Sequence, residues 1–180
     1  MAIKFENLDD TLKHRSCLIT EKTRNDFDNV IKEAIRPLTQ NPPRVLVFVE
    51  IGTHFGLSAL FLAKYGFVYT YDIKDNPERF SIWHPGDTGR IKFTQVKDFV
   101  RERDLPSHFD VAFIDGSHKY HDVKRDFKTV NSCGTVIFDD YNENHLGVLK
   151  FASRLPEGVK KYGRFGLWRA KNRKGHHERF

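Results

Sequence analysis

Cysteine is scarce in this chain. There are two in 180 residues, Cys17 and Cys133, without metal-ligand spacing and in apolar surroundings, so they read as small buried hydrophobes. Long apolar runs are missing too. None approaches the roughly 20 residues that cross a bilayer, and the opening MAIKFENLDD has no signal-peptide core. A cytoplasmic protein with no membrane partner is therefore expected. Also lacking are an internal repeat, a low-complexity linker and the G-x-G-x-x-G fingerprint of dinucleotide sites. What remains is an ordinary globular composition, long enough for one domain with a real core.

Charge is unbalanced toward the basic side, with 30 Lys and Arg against 24 Asp and Glu, or +6. This permits nucleic acid or an anionic substrate as a partner without implying either. Much of the excess lies late, in Lys160-Lys161 and in RAKNRKGHHER from Arg169 to Arg179. Such a tail reads first as a solvated end, and the His176-His177 pair as having no specific role.

The densest information lies in VLVFVEIGTHFGLS, from Val45 to Ser58. A β-branched apolar run ends on an acid, Glu50; a glycine turn follows at Gly52, with a second glycine at Gly56, and then a helical pattern begins. Strand, tight loop and helix start, in that order, suit a polar cofactor at the edge of an α/β sheet. Thr53 and Ser58 have a plainer reading as partners of loop and helix-start amides.

Strands and helices alternate along the chain. Helical spacing over Thr23–Leu38 puts Phe27, Val30, Ile31, Ala34 and Ile35 on one face, ended by Pro37 and Asn41-Pro42-Pro43. Strands are expected at Val45–Ile51, Phe67–Ile73, Ile91–Val96, Phe109–Asp115 and Gly134–Asp139. Helices are expected at about Gly56–Tyr65, closed by Gly66, and over His118–Val130 and Glu143–Arg154. A short helix and long loop fill Asp75–Arg90, and Val159–Ala170 forms a hairpin through Gly163. The pattern predicts an α/β fold with a mostly parallel sheet, helices on both faces and the site beyond the carboxyl ends of the strands. The residues there are Glu50 to Gly52, Asp72, Asp98, Asp115 and Asp139-Asp140.

Each acid has two readings. Asp72, before Ile73, can accept both hydroxyls of a ribose or cap a helix. Asp98 can take an exocyclic amine while Phe99 packs on the ring, or serve as an N-cap. Asp139 and Asp140 adjoin at an apolar strand end and repel unless a cation compensates. With Asp115 they offer oxygen ligands that suit magnesium; otherwise one caps the next helix and the other is solvated. His118, three residues after Asp115, can take a proton near neutrality or lie in solvent. His121 reads as having no role in the site.

EIGTHFGLSA, the YDI after the second strand, FDVAFIDGSHKYHDVKRD and GTVIFDDY together resemble the class I S-adenosylmethionine (SAM)-dependent methyltransferases, and among them the macrolide and aminocoumarin sugar O-methyltransferases. The resemblance spans Val45 to Tyr141. It implies a Rossmann-like core over about 45–170, between an N-terminal helical segment (about 1–40) and a basic tail (about 171–180). It implies SAM binding by Glu50, Gly52, Asp72 and Asp98, with Thr53, Gly56, Ser58, Ile73, Phe99 and Asp115 beside them. A magnesium ion would sit on Asp115, Asp139 and Asp140, with His118 the base and Asp115 beside it in catalysis. The expected reaction is O-methylation of a small-molecule hydroxyl. The alternatives are a non-catalytic SAM-fold module that holds a partner through the basic tail, and a SAM enzyme that transfers no methyl. The long N-terminal additions that shape acceptor pockets in the larger antibiotic enzymes are not expected. Methylation of nucleic-acid amines is disfavoured, because no N-P-P-Y/F motif follows the fourth strand. Asn41-Pro42-Pro43-Arg44 precedes the first strand and lacks the aromatic, and there is no Pro-Cys nucleophile.

Overall fold

The computed structural model describes residues 20–39, 44–78, 83 and 89–171. Cys17, Asn41 to Pro43, most of the stretch between Asp75 and Arg90, and the tail with His176 and His177 lie outside them. The first helix among the described residues, α1 (Glu21–Ile35), starts behind Thr20, whose hydroxyl accepts the Thr23 N–H at 3.1 Å, and buries Phe27, Val30, Ile31 and Ala34. It ends three residues before the expected Leu38, since Pro37 cannot extend the ladder.

Seven strands follow: β1 (Leu46–Ile51), β2 (Gly66–Asp72), β3 (Ile91–Gln95), β4 (Val111–Ile114), β5 (Thr135–Phe138), β6 (Val159–Tyr162) and β7 (Phe165–Arg169). They form one sheet in the order β3-β2-β1-β4-β5-β7-β6. The five β3-to-β5 strands are parallel; β7 runs antiparallel to both β5 and β6. Among the described residues the other helices are α2 (Leu57–Leu62), α3 (Tyr120–Val130) and α4 (Leu146–Ala152). This is the expected Rossmann-like class I arrangement with its antiparallel C-terminal pair. Gly66 opens β2 instead of closing α2. A Cβ there would lie 2.1 Å from the Leu46 carbonyl, so glycine permits close pairing with β1.

Side chains alternate across the strands into two cores. On one face Phe113 and Phe165 meet Phe27 of α1, with ring centroids 5.0 and 4.9 Å apart. On the other Phe138 and Trp168 meet Phe127 of α3 at 5.9 and 4.9 Å. Burial on both faces fixes the register, because a one-residue slip would turn each core residue to the wrong side. The loops after β1, β2, β3, β4 and β5 therefore share one edge. No helix among the described residues is long and apolar enough to cross a membrane.

Candidate active site

A cavity of about 680 Å³ opens at that carboxyl edge. Its wall includes Gly52, Asp72, Ile73, Asp98, Phe99, Asp115, His118 and Asp140 from the expected set. It also includes His54, Lys74, Asp122, Arg125, Asp126 and Arg164, which sequence reasoning did not select. Glu50, Thr53, Gly56, Ser58 and Asp139 are not among the lining residues; Glu50, Thr53, Ser58 and Asp139 are buried.

The glycine loop shows why. Gly52 has φ +99°, and a Cβ on it would fall 2.2 Å from the Asp115 carbonyl. Its bareness lets the loops after β1 and β4 touch. Gly56 has φ +76° and holds its carbonyl to the Trp83 indole N–H at 2.8 Å, with that ring filling the space of a Cβ. Beneath them Thr53 and Thr70 hydroxyls lie 2.5 Å apart, and Thr70 donates to Glu50. Glu50 Oε1 is buried and, by geometry, meets no hydrogen-bond partner among the described residues, although the Ser58 hydroxyl lies close enough to act on the carboxyl. Burial pushes the Glu50 carboxyl up to about 7, with the Ser58 and Thr70 hydroxyls opposing.

Asp72 accepts the His54 N–H at 2.8 Å on one oxygen and the Lys74 N–H at 3.0 Å on the other. It ties two loops together instead of capping a helix, and each oxygen keeps a lone pair. Asp98 is exposed; it accepts the Phe99 N–H at 2.8 Å and pairs with Arg101. The Phe99 ring carries the Arg101 and Arg125 guanidiniums at 4.4 and 4.8 Å from its centroid. Asp126, nearly buried on α3, is pushed up to about 6 by burial, against the nearby Arg125.

The adjacent acids find their cation within the chain. The β6–β7 hairpin turns on Gly163 (φ +58°) and delivers Arg164 to the carboxyl edge, where its carbonyl accepts the Tyr141 N–H at 2.7 Å. Arg164 Nε donates to Asp139 Oδ1 at 2.7 Å, and Nη2 donates to Asp140 Oδ1. The Asp140 backbone is left-handed, φ 54°, a cost of about 1–3 kcal/mol for a non-glycine residue. The other Asp140 oxygen, Oδ2, meets His118 Nε2 at 2.9 Å and His145 Nε2 at 3.3 Å. His121 takes no part in this cluster. Among the described residues, His118, Asp140 and His145 are the group whose ligand atoms lie within 4.8 Å of one another. Of the three aspartates expected to hold a metal, only Asp140 belongs to it.

These contacts set the charges. Burial raises Asp115 well above the usual carboxylate range, helped by the Asp139, Glu50 and Asp140 charges and opposed by Arg164. Burial also raises Asp139, against Arg164. Burial works to raise Asp140 as well, but the His118 hydrogen bond and the Arg164, His118 and His145 charges bring it below the usual range. The Asp140 hydrogen bond raises His118, against desolvation. Of the groups that sequence reasoning missed, Arg164 had one signal, a lone arginine in the turn of the expected hairpin. His145 had none.

A family model described as "Methyltransferase domain" matches residues 49–141. An uncharacterized protein of Acanthamoeba polyphaga mimivirus is 36% identical over 78 residues, 40% of this chain and 35% of that protein's length. Among solved structures, a TDP-rhamnose 3'-O-methyltransferase of calicheamicin biosynthesis superposes with a TM-score of 0.60 at 14% identity, covering 91% of each chain. A putative caffeoyl-CoA O-methyltransferase from Staphylococcus aureus gives 0.57 at 15%, covering 89% of this chain and 96% of the other. The N-methyltransferase NodS from Bradyrhizobium japonicum, in complex with S-adenosyl-L-homocysteine, gives 0.51 at 11%, covering 85% and 89%. Strand order, carboxyl-edge cavity and the matched segment from β1 to Tyr141 agree: this chain belongs to the methyltransferase-domain family and has the class I Rossmann-like fold.

Proposed function

We propose that the protein is a SAM-dependent O-methyltransferase acting on a small-molecule hydroxyl. One observation carries the reading: a single cavity has Asp72 on its wall beside the glycine loop and the His118–Asp140 pair on the same wall. SAM, when bound, supplies a sulfonium methyl for attack. Asp72 takes the ribose hydroxyls on its remaining lone pairs, and Gly52 and Asp115 form the floor beneath. His118 donates Nε2–H to Asp140, a tautomer assigned from that hydrogen bond. This leaves the Nδ1 lone pair to take the acceptor's proton. Asp140 steadies the imidazolium that forms, and positioning supplies most of the remaining rate.

The chain does not fit magnesium in the manner expected. Arg164 already occupies one oxygen of both Asp139 and Asp140, and the converging ligand atoms include two imidazoles, whereas magnesium takes oxygen ligands in an octahedron. The positive charge beside the acceptor is that of Arg164, and no step in this reading passes through a metal. Calorimetry tests the cofactor. S-adenosylhomocysteine binds the wild type, and Asp72→Ala weakens it by about 1.5–3 kcal/mol, the range for hydrogen bonds to a charged group. No heat at millimolar ligand would end the reading. Activity falls as pH drops through the His118 pKa, because the base works unprotonated. The Asp140 hydrogen bond raises His118, so the acid limb is displaced upward from that of a free imidazole.

A further inference from the structure

The structure assigns a second ligand to the carboxyl edge: a divalent ion of the zinc class, held by His118, Asp140 and His145. The three groups come from separate segments, the loop after β4, the loop after β5 and the residue before α4. A built contact joins them. A Cβ on Gly147 would lie 2.0 Å from the His118 carbonyl and 2.7 Å from the Tyr120 nitrogen. Only glycine lets α4 dock so tightly on the His118 loop, and that docking brings the His145 ring to 4.2 Å from the His118 ring. Both Nε2 atoms then face one oxygen, Asp140 Oδ2, at 2.9 and 3.3 Å. Neighbouring ligands on one ion with bonds of about 2.1 Å are separated by this order of distance.

The rest of the arrangement serves the same end. Arg164 holds Asp140 Oδ1, so the carboxylate presents Oδ2 in a fixed direction, as groups behind metal ligands do. The histidine side chains are 41% and 31% exposed, which leaves an approach for the ion and an open coordination position. Two imidazoles and one carboxylate select zinc, cobalt, iron or manganese over magnesium. An ion on His118 Nε2 moves the ring proton to Nδ1. Metal occupancy and the base role of His118 therefore exclude each other.

Cobalt(II) is the probe, added to metal-free protein without cofactor, so that the result is independent of SAM binding. His176→Ala and His177→Ala are introduced first to silence the tail. Visible d–d absorption should appear with one equivalent of cobalt and be displaced by zinc, but not by about a hundredfold excess of magnesium. His145→Ala should weaken cobalt binding about a hundredfold, at or beyond the loss seen when groups behind ligands are removed. His121→Ala should leave it unchanged. Circular dichroism confirms folding; if His145→Ala fails to fold, His145→Gln replaces it. No cobalt spectrum, equal displacement by magnesium, or a spectrum unchanged in the folded His145 variant would each overturn the assignment.

Discussion

The two edges of the sheet carry similar parts put to different ends. At the amino edge Asp110 is nearly buried. It accepts two bonds from Arg44, one from the Val47 N–H at 2.9 Å and one from His108 Nε2 at 3.1 Å. One carboxylate meets one guanidinium, and every oxygen is engaged. At the carboxyl edge one guanidinium, Arg164, faces Asp139 and Asp140, with Asp115 and Glu50 close behind. There the acids outnumber the cation, burial pushes three of them upward, and Asp140 holds a strained backbone. A balanced pair fastens β1 to β4. An unbalanced cluster is costly to keep and is what a site for a polar ligand requires.

The sharpest way to test that contrast is through the two histidines. His118→Ala should lower methyl transfer about 10²–10⁴-fold, the usual share of a general base, with partial recovery at high pH. His108→Ala, on the other edge, should leave turnover unchanged. Both are read from initial rates with S-adenosylhomocysteine affinity as the control. Equal rates for the two variants would remove His118 from the chemistry.

The arginines come next. Arg164→Leu strands two nearly buried carboxylates and should cost about 3–5 kcal/mol in urea denaturation, the usual result of removing one partner of a buried pair. Arg44→Leu leaves Asp110 its Val47 and His108 donors and should cost about 1.5–3 kcal/mol. Equal losses would mean that Arg164 has no greater burden than an ordinary ion pair. Double variants with Asp139→Asn should recover part of the Arg164 loss, because the charge left behind is then removed.

Most of the fold was legible in the sequence, because strand periodicity and the β–α alternation report burial directly. The positions of Gly52, Asp72, Asp115, His118 and Asp140 on the cavity wall were legible for the same reason, since each lies at or shortly after the carboxyl end of a strand. The departures have physical causes. The glycine turn at Gly52 suited a cofactor's approach, but its missing Cβ makes room for the Asp115 backbone, and at Gly56 the Trp83 ring takes that space. The paired aspartates demanded a cation, and sequence offers no way to see that a hairpin turn brings Arg164 over 20 residues later. His145 joins the cluster only because Gly147 docks against the His118 loop, a contact between segments with no periodic signal.

The effect expected at Glu50 probes the carboxyl edge through pH. Its folded pKa, about 7, lies above its ordinary value of 4.5. Between those values the folded state holds a proton that the unfolded state has lost, so stability falls as pH rises through this window and stays lower above it. The fall is about 3 kcal/mol for a shift of this size. Asp115 and Asp139, also raised, act in the same direction, and Asp140, lowered, acts in the opposite one. The Glu50 share is isolated as the difference between wild type and Glu50→Gln, which keeps an acceptor for Thr70. That difference should grow from near zero at pH 4.5 toward about 3 kcal/mol above pH 7, with the variant the more stable protein. Parallel curves for wild type and Glu50→Gln would show that Glu50 meets a compensating charge or water, and that the carboxyl edge is less crowded than its geometry indicates.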